Sequence, residues 1–597
     1  MTLTLHALSR CTIQAISGGH RRALRRIPSP VAPASTAPLL ITISRQRGVA
    51  TRRSAAATGL VVRSAAVESS VDGKPTSTDG SLTQDYGDLC SRLKTIAHLE
   101  GVSGLLGWDE LVMLPSGAAA CRSSQKEALA GVIYEKKTEP EIGRLLEKLL
   151  PKMEAMDPNS AAVVREAERD YKRLTAISKG MAEKMARLES EGYQSWVAAR
   201  KSGDFSKFAP VLQEWVKLTR ERCAIIDPSR PAYDVCLDDF EKGMTSDRLD
   251  TIFSTLRASL VPLIKDLRSS GCAPDRSFLE GEWDVETQAK LCEEVAMDLG
   301  FNTEMGRLDV SVHPFTGGSH PTDVRMTTRF KATDVTEGLT GTIHETGHAL
   351  YEQGRSLEYD NLPVNRAAGM GIHESQSLLW ERMVALSLPF SNYLHPKLAA
   401  AFPEMLKGRT PTDLYAAMNV MQERSMIRVE SDELTYPLHI ILRYELERGL
   451  IDGSIQVKDL PELWNAKMTE YLGCTPTSDA EGVLQDVHWS AGAFGYFPTY
   501  SLGAMYGCQI YKEAHRCLPS LDSDIAAGNF APLKEWLNKN IHEVGSLHAT
   551  GDELMRAVTG SKLDPQVYLN HLTSKYSVAY KLCTAEEDDS GSVFHFS

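Results

Sequence analysis

The stretch "LTGTIHETGHALYEQG", Leu339 to Gly354, decides how the chain is read. Apolar and small residues recur at helical spacing, Asp334 or Thr336 stands where an N-cap is wanted, and Gly354 stops the run, so the segment predicts one helix. On that helix His344 and His348 lie one turn apart on one face, and Glu345 points about 100° around it. Two imidazoles that reach one ion, with an acid beside them, suit a hydrolytic zinc site. The competing reading is an ordinary pair of histidines on a surface or core helix.

A hydrolytic zinc takes three protein ligands and keeps one open position, so a third donor is expected on a nearby helix downstream. "MGIHESQSLLWERM", Met370 to Met383, supplies Glu374, with apolar spacing at Ile372, Leu379 and Met383. Its neighbour His373 is the rival ligand, one helical step away, and Glu374 is preferred. No Gly-x-x-His follows the first motif, which argues against a three-histidine arrangement. A second His-Glu pair, in "NIHEVGSLH" (Asn540 to His548), puts its next histidine on the wrong face for shared ligation and reads as structural or as a surface feature.

Outward from these helices, composition sets the frame. The chain has 597 residues, 42% hydrophobic and 24% charged, which is ordinary for a soluble globular protein. No apolar run approaches the roughly 18 residues of a membrane span, and the nearest candidate, residues 38 to 44, is too short. Residues 1–67 hold ten Arg and no Asp, Glu or Lys, and the first acid is Glu68. Such composition is that of an organelle transit peptide rather than a folded domain or a basic nucleic-acid-binding arm. Its length and Ser/Ala content point to the chloroplast, with the mitochondrion as the alternative, and "VVRSAAVESS" (Val61 to Ser70) is a processing zone. Subtracting those ten positive charges from the formal −13 of the whole chain leaves −23 for the remainder. So acidic a body excludes nucleic acid as an expected partner. The eleven cysteines show no CxxC pairing and read as mostly buried thiols in a reducing compartment.

Residues 68–83 are polar and turn-rich and read as a flexible lead. From 84 to 580 most segments have helical spacing, among them "YGDLCSRLKTIAHLEGVSGLLGW" and "LDTIFSTLRASLVPLIKDLR", so one helical domain is expected there. A β-like interval interrupts it at Leu308 to Phe330, where β-branched residues alternate with Gly and Pro. Residues 581–597 read as a loose acidic tail.

Six motifs in order then carry a family resemblance: "HPF" (His313 to Phe315), "DVRMT" (Asp323 to Thr327), "HETGH", "HESQS" (His373 to Ser377), "IRVESD" (Ile427 to Asp432) and "GVLQDVHW" (Gly482 to Trp489). Together, from about Leu93 to about residue 575, the chain resembles the carboxypeptidase Taq family of HEXXH metallocarboxypeptidases. Ser431 stands where that pattern usually has Ala. The resemblance implies a mainly α fold, a large helical metallopeptidase with a deep active-site groove and a small β element near the zinc helix. It also implies Zn²⁺, with Co²⁺ as a substitute, a homodimer, and release of C-terminal amino acids from peptides with broad specificity.

In the chemistry expected, His344, His348 and Glu374 hold the metal and Glu345 is the general base. His488 is the first choice and Tyr500 the second for a donor to the oxyanion; the alternative for His488, flanked by Asp486 and Trp489, is a packed or supporting residue. A free C-terminal carboxylate calls for Arg, whose planar fork pairs with it in two-pronged fashion. Through the family motif Arg428 is preferred, with Arg329 and Arg325 behind it, and for Arg325 an internal salt bridge with Asp323 is the better reading. Asp432 and Glu433 are read as orienting Arg428 or a histidine. Two rivals share these residues. One is a zinc oligopeptidase cutting short peptides internally; the other is a non-catalytic scaffold with structural zinc, disfavoured because Glu345 is present and no fourth ligand stands out.

Overall fold

The computed structural model describes residues 80–582, all within one compact unit. The transit segment 1–67 and the acidic tail from 583 lie outside the described residues. The lead read as flexible over 68–83 ends earlier than expected, because residues 80–83 already form the first turn of a helix and Leu82 is buried there.

The fold is mainly α. In chain order, the elements that frame the site are helix α1 (Gly80–Val112), strands β1 (Gly306–Val310), β2 (Phe315–His320) and β3 (Asp323–Thr328), and helices α2 (Val335–Gln353), α3 (Met370–Leu378), α4 (Tyr436–Asp452), α5 (Pro498–Cys517) and α6 (Pro565–Ala579). Helix α3 runs on as a wider π-helical turn from Leu379 to Ala385. One large apolar core extends from Leu188 to Tyr580, and a smaller one lies beneath α1. Among the described cysteines 223, 236, 292, 474 and 508 are buried, and all nine are free thiols.

The β interval read from the sequence is a three-stranded sheet in the order β1-β3-β2, with β1 parallel and β2 antiparallel to β3. Two of the sequence motifs build this hairpin. Thr327 Oγ1 accepts a hydrogen bond from the Phe315 N–H at 3.1 Å and one from Ser311 Oγ at 2.7 Å, which locks "HPF" against "DVRMT". The face of β3 that carries Val324 and Met326 packs on Ala349 of α2, and Thr342 Oγ1 reaches Thr328 Oγ1 at 3.1 Å. Thr342, Thr346 and Ala349 recur at i, i+4 and i+7, so α2 gives one small-residue stripe to the sheet and leaves another face for chemistry.

Helix α2 begins and ends as its sequence dictates: Asp334 accepts the Thr336 N–H at 2.8 Å, and Gly354 is the C-cap. Helix α3 has no side-chain cap of its own. Its start is held from another segment, where the Phe240 carbonyl accepts the Met370 N–H and the Glu241 carboxyl accepts the Gly371 N–H.

Close backbone approach fixes the three central helices. A Cβ on Gly347 would stand 2.5 Å from the Gln376 carbonyl oxygen of α3, and one on Gly503 of α5 would stand 2.7 Å from Glu374 Cγ. Helix α3 is therefore wedged between α2 and α5 at positions that only glycine fits.

Candidate active site

That wedge puts the two motif helices face to face. One ligand atom each from His344, His348 and Glu374 lies within 4.8 Å of the others, and all three side chains are buried. His348 Nε2 faces Glu374 Oε2 at 3.3 Å. Two imidazoles and a carboxylate at this separation, closed off from bulk water, fit a divalent metal such as zinc.

Each imidazole is anchored at its other nitrogen. His344 Nδ1 meets Glu381 Oε2 at 2.6 Å, from the π-helical turn that continues α3. His348 Nδ1 meets His373 Nδ1 at 2.8 Å, and His373 Nε2 meets Glu352 Oε1 at 2.9 Å. Both ring nitrogens of His373 are thus engaged away from the cluster, so the structure groups Glu374, not His373, with the two motif histidines. Glu345 is buried, and its Oε2 accepts a 2.8 Å hydrogen bond from Thr316 Oγ1 of β2. The β hairpin serves the site by presenting that hydroxyl.

A second cluster lies against α5. Arg428 and Arg443, both buried, share the Asp486 carboxylate: Arg428 Nε meets Oδ1 at 2.8 Å and Arg443 Nε meets Oδ2 at 2.6 Å. Gln485 Oε1 accepts both the Arg428 backbone N–H and Arg443 Nη2. Burial opposes the Asp486 charge, but Arg428 and Arg443 outweigh it and hold the carboxyl well below its usual range. The Arg428 guanidinium stacks over the Tyr500 ring at 4.8 Å.

His488 is fully enclosed beside them. Burial, with Arg428 and Arg443 adding to it against the pull of Asp486, pushes its imidazole down to about 3, so it is neutral at working pH. Its Nδ1 is 3.9 Å from Asp486, too far for a hydrogen bond, whereas Nε2 lies 3.2 Å from Tyr500 Oη. Two arginines, one aspartate and a neutral histidine leave one net positive charge in a buried cluster.

Tyr500 joins the clusters. It lies one turn before Gly503, whose backbone meets the Glu374 side chain, and its ring is 5.3 Å from that of Tyr496 and 6.3 Å from that of Tyr436. Burial raises the pKa of both neighbouring phenols, and the Glu374 carboxylate adds to this in each.

Other sequence-based expectations fall elsewhere. Arg329 is paired with Glu337 in the first turn of α2, through Nε at 2.5 Å. Arg325 forms the expected salt bridge with Asp323 at 2.8 Å and stacks on Trp108 at 4.6 Å. Asp432 caps a turn, accepting the Gln422, Leu434 and Thr435 N–H groups, so the residue that orients Arg428 is Asp486. Glu433 does engage a histidine, His571 of α6 at 3.2 Å, and Lys575 at 2.8 Å. In the second His-Glu pair, His542 is buried and hydrogen-bonded to Asn538 and Gln376, which is the structural reading.

Sequence reasoning missed Thr316, Glu352, Glu381 and Arg443. Two of them carried a signal: Glu352 follows His348 by one turn, and Glu381 follows Glu374 by two.

Known proteins resemble the chain over most of its length. The family model for carboxypeptidase Taq (M32) metallopeptidases matches residues 88–576. Thermostable carboxypeptidase 1 of Thermus thermophilus is 37% identical over 506 residues, covering 83% of this chain and 99% of the relative. Carboxypeptidase 1 of Bacillus subtilis is 36% identical over 490 residues, covering 82% and 97%. Among solved structures, the M32 carboxypeptidase from Deinococcus radiodurans superposes with a TM-score of 0.81 at 35% identity, covering 83% of this chain and 100% of that one.

Proposed function

Because this chain belongs to the carboxypeptidase Taq (M32) family of metallopeptidases, we propose that it is a zinc enzyme that releases C-terminal amino acids from peptides with broad specificity. His344, His348 and Glu374 hold the ion, and the same donors suit Co²⁺ as a substitute. When bound, the ion supplies Lewis acidity, which makes water a nucleophile near neutral pH and polarises a peptide carbonyl.

The chain's own groups do the rest. Glu345, steadied by Thr316, takes the proton of the attacking water and returns it to the leaving amine. Tyr500 donates its hydroxyl hydrogen to the oxygen on which negative charge develops. Neutral His488, with its proton on Nε2, donates to Tyr500 Oη and sharpens that donor. Arg428 takes the free carboxylate of the substrate, and Asp486 and Arg443 hold its guanidinium in place.

The observation that carries this reading is the buried group of Arg428, Arg443 and Asp486, with one net positive charge, which packs on Tyr500 of the helix whose Gly503 meets the Glu374 side chain. In a body as acidic as this one, such a group favours a carboxylate. The test is digestion of one peptide with a free and with an amidated C-terminus. Stepwise loss of C-terminal residues from the free acid alone is expected, whereas internal cleavage of both would replace this reading with the oligopeptidase one. A homodimer and import into the chloroplast, with the mitochondrion as the alternative, complete the proposal. No described helix is long and apolar enough to cross a membrane.

A further inference from the structure

The two motif histidines are supported unequally. His344 rests directly on a carboxylate, Glu381. His348 rests on another imidazole, and that difference fixes where the protons are.

Only one hydrogen can lie between His348 Nδ1 and His373 Nδ1, 2.8 Å apart. At the other end of His373, Nε2 faces Glu352 Oε1 at 2.9 Å. Glu352 is in turn gripped by Arg355 Nη1 at 2.5 Å, so it is a carboxylate that can only accept. A singly protonated His373 then carries its proton on Nε2 and offers a lone pair at Nδ1. It follows that His348 donates from Nδ1 and keeps the lone pair on Nε2, the atom that faces Glu374. With His373 singly protonated, each hydrogen bond in the chain runs one way, from His348 to His373 to Glu352.

We infer that His373, Glu352 and Arg355 form a positioning relay that selects the tautomer and ring orientation of His348 as a metal ligand. The sequence builds it from two adjoining helices. Glu352 follows His348 by one turn on α2, and His373 immediately precedes Glu374 on α3. Arg355 lies just past the Gly354 cap and also donates from Nε to the Asn365 carbonyl at 2.8 Å. The relay thereby ties the ligand to the connection between the two motif helices. The inference rests on His348 being a metal ligand, as proposed above, and adds that its affinity is set by three residues that do not touch the ion.

The test measures zinc affinity of the full chain by competition with a chromogenic chelator. His373→Ala and Glu352→Ala should each weaken zinc binding by about 10- to 100-fold, the usual range for removing such support. The double variant should be no weaker than the weaker single one, because both interrupt one chain. Glu381→Gln, which acts on His344, should multiply with either. His373→Gln should recover part of the loss, since its amide can accept from His348 and donate to Glu352. In metal-free wild type, ¹⁵N resonances of labelled histidine should show His348 as the Nδ1–H tautomer, a readout that needs no variant to fold.

Unchanged zinc affinity in a folded His373→Ala protein, losses that multiply in the double variant, or an Nε2–H tautomer at His348 would each overturn the relay. A wild type that binds no zinc would instead overturn the metal reading beneath it. The outcome with amidated peptides leaves the relay unaffected.

Discussion

At the scale of single residues, the proposed function separates groups that would hold an ion from groups that would move protons or hold substrate. Glu374→Ala should lose bound metal, while Glu345→Gln should keep it and lower kcat by about 10²- to 10⁴-fold, the usual share of a general base; metal analysis beside steady-state kinetics distinguishes the two. Arg428→Ala should lower kcat/KM for free-acid peptides by roughly 2 to 4 kcal/mol equivalent, with metal content unchanged and only partial recovery in Arg428→Lys. Asp486 keeps Arg443 as a partner in that variant, so the pocket should not collapse around a bare carboxylate. An equal fall for free and amidated peptides would move the carboxylate contact away from Arg428. That His344 and His348 share a face was legible because HEXXH spacing is local, and that Glu374 joins them was legible from a second helical motif downstream. Thr316, Arg443 and the pairing of Asp486 were not, since each depends on which faces of distant elements pack together. Arg329 shows the converse: it was a reasonable clamp by residue type, yet Glu337 engages it.

At the scale of elements, helical periodicity and Gly/Pro punctuation located the HETGH helix and the β interval, whereas the start of α3 left no trace in its own sequence because its cap comes from residues 240 and 241. Burial, against the Gly371 N–H it accepts and nearby Lys242, pushes the Glu241 carboxyl up from 4.5 to about 8. The native state therefore holds a proton there that the unfolded chain releases above about pH 4.5. The associated stability is complete below that pH and is lost as the pH rises toward 8. Glu241→Gln, which stays neutral and keeps an acceptor for Gly371, should flatten the fall of stability across that window. Urea unfolding of wild type and variant at a series of pH values measures it, and parallel curves would show that Glu241 is ionised throughout.

At the scale of the whole molecule, the chain divides by charge: an acid-free, arginine-bearing segment precedes a strongly acidic body. A reporter fused after residues 1–67 should enter an organelle, the chloroplast first, and the mature N-terminus should fall between residues 60 and 72; a cytosolic reporter would refute the targeting reading. Fold class was readable over this whole body because nearly every segment repeats one period, while the tight seating of one motif helice against two others could not be read, since Gly347 and Gly503 resemble any other glycines until their neighbours are known. That seating has a thermodynamic meaning. The spacing of His344, His348 and Glu374 is set by the close glycine contacts of folded helices, so on the proposed reading the ordering entropy of the site is spent when the protein folds and not when an ion arrives. Metal uptake here resembles filling a mould rather than casting one, and stripping the ion with a chelator should leave the helices standing, unlike a small zinc domain that unfolds with its metal.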